Sequence, residues 1–158
     1  MSAKTAVEVE RPAAAMRRGL SKRNREISFA DLLVVDPSER ISLVREGLPA
    51  AALQSAADFL GISQRDLLTG IRVPVSTITA RIRDQKPLSP EESDKLVRLA
   101  EAVKASVAVF GDAEEGKTWL TDTVLSLGGK RPLDLLDTQD GYTLVMQTLG
   151  RIQFGAPA

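Results

Sequence analysis

Residues 63–86 read SQRDLLTGIRVPVSTITARIRDQK, and this stretch decides the fold. Ser63 is an N-cap residue for a short helix through Ile71, because its hydroxyl can accept from an orphan backbone N–H. Arg72-Val73-Pro74 is a tight link. Val75 to Arg83 then reads as a second short helix, with Asp84-Gln85-Lys86 as its exit. A short helix, a turn of about three residues and another short helix make the helix-turn-helix plan. In that plan the second helix enters the major groove and its early residues meet base edges. Val75, Ile78 and Ile82 stand at i, i+3 and i+7 and are expected to pack inward. Ser76, Thr77, Thr79, Arg81 and Arg83, with Lys86 at the exit, are left outward or flanking. Short hydroxyls and cations suit phosphates and base edges. They are also ordinary surface residues, so the pattern leaves both readings open. The β-branched content makes this helix depend on packing for its stability.

Upstream, packed structure is expected to begin near Phe29. Phe29 and Leu32 to Val35 form a short apolar run, and periodicity does not decide between strand and helix. Asp36-Pro37-Ser38-Glu39 is a helix start, with Asp36 as N-cap and Pro37 in the first turn, and Gly47 is the stop. Ala50 to Leu60 places Leu53, Ala56, Ala57 and Leu60 on one face before Gly61. Residues 1–28 read as a basic tail, with Lys22, Arg23 and Arg25 clustered at its end. Such a tail is a solubilising segment or an arm for the DNA backbone.

Downstream, Ser89-Pro90-Glu91-Glu92 opens a helix with a capping box, and the apolar face runs from Leu96 to Phe110. That face is core, or a dimer seam. Residues 112–127 read as one helix with Trp119, Leu120, Val124 and Leu127 on its apolar side. Gly128-Gly129 breaks it, Leu133 to Leu136 make a helical turn after Pro132, and Asp137 or Thr138 caps a final helix over 139–153. The lone Trp119 is a core anchor or a contact residue. Asp134 and Asp137 read as caps rather than a catalytic pair. Gly128-Gly129-Lys130 is no phosphate loop, since no strand precedes it and no Ser or Thr follows the lysine.

Composition narrows the function. With no Cys and no His, the chain lacks a thiol nucleophile, the commonest acid/base group and the usual transition-metal ligands. The chain is therefore expected to be no enzyme and to use no metal or cofactor. No apolar run approaches the ~20 residues of a membrane span, and the basic N-terminus has no apolar core behind it; a cytoplasmic protein that does not touch membranes is expected. Aromatic residues make up 4%, too few for a base-stacking platform. Lys/Arg and Asp/Glu balance at 21 each, but unevenly. Residues 1–30 carry seven Lys/Arg against three Asp/Glu, and residues 111–158 carry four against seven. The basic beginning suits phosphates, and the acidic end suits a different partner.

Taken in order, Trp119-Leu120, Leu127-Gly128-Gly129, Arg131 to Thr138 (RPLDLLDT), Gly141, Leu149-Gly150-Arg151-Ile152 and Gly155 resemble the C-terminal toxin-binding domain of the MbcA/ParS/Xre antitoxin family. Ser76-Thr77-Ile78 with Arg81, and Leu88 to Leu96 with Arg98-Leu99, resemble that family's Xre-type helix-turn-helix region. Ala80-Arg81 departs from it, standing where such families often have two arginines. The resemblance implies an all-α fold, with a helix-turn-helix domain over 29–110 and a small helical toxin-binding domain over 111–158. It implies an antitoxin of a type II toxin–antitoxin system that blocks the active site of a RES-domain toxin, an NAD⁺-consuming protein. It also implies autoregulation by operator DNA binding, as a homodimer within a larger complex. Trp119, Gly128, Gly129, Pro132, Leu133, Leu135, Leu136, Arg151, Ile152 and Gly155 are then the expected toxin-binding residues. Gly128, Gly129 and Pro132 would set a bend that lays the leucines against the partner. Arg151 would reach an anionic pocket, or else simply offset its helix dipole. The alternative is a plain dimeric repressor whose C-terminal domain self-associates.

Overall fold

The computed structural model describes residues 26–155, and the predicted tail lies outside them except for its last three residues. Of these, Ile27 is buried and Ser28 caps the first helix, so packed structure begins two residues before Phe29. The described residues form eight α-helices and two 3-10 turns with no strand. These are α1 (Phe29–Leu32), α2 (Pro37–Glu46), α3 (Ala51–Leu60), α4 (Gln64–Gly70), α5 (Val75–Arg83), α6 (Pro90–Phe110), α7 (Ala113–Thr121), the turns Leu125–Leu127 and Pro132–Leu135, and α8 (Gln139–Gln153).

Local chemistry accounts for the boundaries. The ambiguous run after Ser28 is one helical turn, held by a reciprocal capping box between Ser28 and Asp31. The Asp36 carboxylate accepts from the Ser38 hydroxyl and from the Glu39 and Ser38 N–H groups, and these bonds, the hydroxyl's above all, hold its pKa below the usual carboxylate range. Ser89 and Glu92 close the capping box of α6. Gly61 and Gly111 end their helices in the left-handed region.

The predicted helix over 112–127 stops at Thr121. Thr121, Thr123 and Val124 are β-branched and disfavour helix, and Val124 instead pairs with Lys130 in an isolated antiparallel bridge. That bridge closes a hairpin whose return side holds Gly128 and Gly129, both at left-handed φ. The cap of α8 is Thr138, which accepts from the Gly141 N–H.

The core is one continuous cluster from Ile27 to Leu149. Helix α6 is its spine and packs against α2, α7 and α8. Of the predicted apolar face Leu96, Leu99, Ala100 and Val103 are buried and Val97, Val107 and Phe110 half-buried, while Ser93, Ala102 and Ser106 are buried beside them. No helix among the described residues is long and apolar enough to cross a membrane.

Candidate functional site

Helix α5 presents the first candidate surface. Of the three residues expected to point inward, only Ile78 is buried; Val75 is 44% exposed and Ile82 52%. Ile82 lines an open groove with Pro49, Ala50 and Pro87 instead of entering the core. Ser76, Thr79 and Arg83 stand at i, i+3 and i+7, all exposed, and Lys86 is exposed beyond them; Thr77 is half-buried. The Thr79 hydroxyl donates to the Val75 carbonyl at 3.0 Å. The Arg83 guanidinium pairs with Asp84 at 3.0 Å on the surface, an exposed pair that is readily exchanged.

Arg81 is placed differently from the expectation. Its Nε lies 2.8 Å from Glu92 Oε2, and its Nη2 donates to Glu92 Oε1 at 3.1 Å. Its guanidinium also reaches the Pro87 carbonyl. The side chain tied to the start of α6 is thus a brace for α5, rather than an outward phosphate ligand. Burial pushes the Glu92 carboxyl up, but the Ser89 N–H and the Arg81 guanidinium outweigh it and leave the pKa below the ordinary value. A carboxyl whose folded pKa is depressed contributes stability above its unfolded value, about 4.3. That stability is lost as pH falls through the folded value. Glu92→Gln should therefore flatten the acid-side decline of the melting temperature, read by thermal melts from neutral pH down to about pH 3. Identical declines in both proteins would contradict this role.

The C-terminal residues divide into two groups. Pro132, Leu133 and Leu136 are buried and Leu135 is half-buried, so the leucines expected to face a partner are mainly part of this chain's own core. They pack the second 3-10 turn against α4, α7 and α8. The apposition is tight at Gly70, where an added Cβ would stand 3.2 Å from Leu133 Cγ and 3.0 Å from Asp134 Oδ1. Polar bonds pin the same turn. Arg131 donates to both Asp66 oxygens on α4, each at 3.1 Å, and to both Asp134 oxygens at 2.8 and 2.9 Å. The Asp134 and then the Asp66 hydrogen bonds raise the Arg131 pKa above its already high value. Asp137 pairs with Arg72, in the link between α4 and α5, at 3.2 Å. Arg98 of α6 donates to the Leu136 carbonyl at 3.1 Å. Asp134 and Asp137, expected as caps, are therefore ion-pair partners that seat this turn on the helix-turn-helix.

The second group lies at the surface. Gly128 and Gly129 are exposed in the hairpin, beside Leu125, which is 92% exposed. Arg151 and Gly155 are exposed at the end of α8, Ile152 is half-buried, and Phe154 is 83% exposed. Trp119 is half-buried, its ring 6.1 Å from that of Phe110. Leu125 and Phe154 were missed as candidates. Position in a loop and after a last turn was their only signal, and an exposed large apolar side chain there marks a contact site better than a core one.

The geometry defines a class: an all-α helix-turn-helix protein whose second motif helix is braced through Arg81 and Glu92 and whose C-terminal helical region is seated on it. Residues 35–101 match the antitoxin Xre-like helix-turn-helix domain, and residues 105–155 match the antitoxin Xre/MbcA/ParS C-terminal toxin-binding domain. The chain belongs to this antitoxin family, and is an antitoxin of a toxin–antitoxin system with a toxin-binding domain. The boundary between the two matches falls inside the single helix α6. Among curated relatives, the Prs ADP-ribosylating antitoxin of Sphingobium sp. (strain YBL2) is 27% identical over 149 residues, covering 89% of this chain and 94% of that one. The antitoxin Xre of Pseudomonas putida (strain KT2440) is 35% identical over 98 residues, covering 60% and 62%. The antitoxin Xre of Yersinia enterocolitica is 26% identical over 117 residues, covering 73% and 78%.

Proposed function

We propose that the chain neutralises a RES-domain, NAD⁺-consuming toxin by covering its active site, and represses its own operon by binding DNA as a dimer. The observation that carries the first part is the toxin-binding match over 105–155 together with the exposed end of α8 inside it. Arg151, Ile152, Phe154 and Gly155 form the contacting edge, with the Gly128-Gly129 hairpin as a second contact. Arg151 supplies a fixed cation for a pocket built to hold a phosphate-bearing nucleotide. The buried Pro132, Leu133 and Leu136 act by holding this region in place. The name of the Sphingobium relative connects that protein with ADP-ribosylation of Prs. This favours a second reading of the partner's chemistry, in which NAD⁺ donates ADP-ribose to a protein instead of being hydrolysed.

Ser76, Thr77, Thr79, Arg83 and Lys86 form the DNA edge, while Arg81 keeps α5 in place. The two edges lie on opposite sides of the domain boundary in sequence, so their losses separate. Arg151→Glu, paired with Phe154→Ala, should abolish rescue of cells expressing the neighbouring toxin gene and leave operator binding unchanged. Arg83→Ala should do the reverse, weakening operator binding and reducing its salt slope by about one counterion. All three substitutions are at exposed positions, so melting temperatures should stay close to wild type. Full rescue by the Arg151/Phe154 variant would remove the end of α8 from the toxin interface. Operator binding with no toxic neighbour would favour the plain repressor.

A further inference from the structure

We propose that the groove beside Trp119 seats the chain's own basic N-terminal segment, residues 16–25. The groove is a cavity of about 460 Å³ with Phe110 and Trp119 as apolar lining and Glu114, Glu115 and Asp122 among its other walls. No cation lines it. Its occupant must therefore bring positive charge and some apolar surface.

Residues 16–25 read MRRGLSKRNR: five Lys/Arg, no Asp/Glu, and Met16 and Leu20 as apolar groups. A guanidinium over the indole face would gain a cation–π contact while its edge meets a carboxylate. The entry point is close. Ile27 is buried, and the Phe29 N–H donates to Ser55 Oγ at 2.8 Å. The Phe29 ring lies 5.5 Å from that of Phe59, and Lys117 Nζ stands 4.5 Å from the same Phe59 ring. Lys117 belongs to α7, the helix that carries Glu114, Glu115 and Trp119. The described chain thus begins beside the helix that builds the groove. Ten extended residues reach roughly 33 Å, more than twice the length of a nine-residue helix at about 14 Å. DNA is a poor competitor for this groove, because the Glu115 and Asp122 carboxylates repel phosphate.

Trp119 is the only tryptophan, so its fluorescence reports on the groove in the full chain. Acrylamide quenching, which is neutral, should rise about twofold in the triple variant Lys22→Glu/Arg23→Glu/Arg25→Glu at low salt, and in wild type at high salt. Quenching in wild type should not change on roughly hundredfold dilution, because a tethered segment keeps its effective concentration. Equal quenching of wild type and the triple variant at low salt would overturn the proposal and leave the groove uncovered. Quenching that rises on dilution would overturn it in favour of the segment of a second copy. The substituted residues lie outside the described core, so a folded variant is expected, and far-UV circular dichroism checks it.

Discussion

Gly141→Ala should cost about 3 kcal/mol, at the upper end of what overpacking does. A Cβ built at Gly141 would stand 1.8 Å from the Leu135 carbonyl oxygen and 2.8 Å from its carbon. Backbone atoms cannot rotate aside as a side-chain tip can, so the second 3-10 turn and the start of α8 would have to separate. Their separation would strain the Thr138 cap and the burial of Leu136. Gly150→Ala supplies the contrast within the same helix. Nothing lies within 4 Å of its added Cβ, and a helical Gly→Ala change there should stabilise by about 0.5–1 kcal/mol. Urea unfolding followed by Trp119 fluorescence measures both. Equal midpoints for the two variants would mean that the turn is not seated on α8 at this spacing.

Arg131→Ala should be the next most damaging change, at about 1–3 kcal/mol after allowing for partial exposure. Its side chain is 23% exposed and gives four charge-assisted hydrogen bonds to two carboxylates. Removing it leaves Asp66 and Asp134 facing each other without the cation between them. The loss is therefore expected to be smaller when one of them is neutralised. A double-mutant cycle with Asp66→Asn isolates this coupling. An additive pair would show that Arg131 acts on its own turn alone. Because Asp66 lies on α4 and Asp134 in the toxin-binding match, the same cycle measures how firmly the two halves are joined.

Much of the fold is legible residue by residue. Asp36, Ser63, Ser89 and Thr138 mark helix starts because a short polar side chain satisfies an orphan N–H locally. Gly61 and Gly111 mark ends for an equally local reason. The helix expected over 112–127 broke where β-branched residues met a long-range option, the Val124–Lys130 bridge, which no local rule weighs. The surface was harder to read. Periodicity placed Ile78 correctly inward but carried Val75 and Ile82 with it, since spacing along a helix does not say where its neighbours end.

The sequence by itself determined most helix starts and stops, such as Asp36, Ser63, Ser89, Gly61 and Gly111, the family words in RPLDLLDT and the absence of His and Cys, because each depends on residue type and near neighbours. Tertiary structure alone decided the duty of each side chain. It turned Arg81 from a groove-facing cation into a brace on Glu92, moved Leu133 and Leu136 from an interface into the core, and made Asp134 and Asp137 ion-pair partners of Arg131 and Arg72. The physical reason is the same in each case: burial and ion pairing depend on which group from a distant part of the chain arrives within a few ångströms.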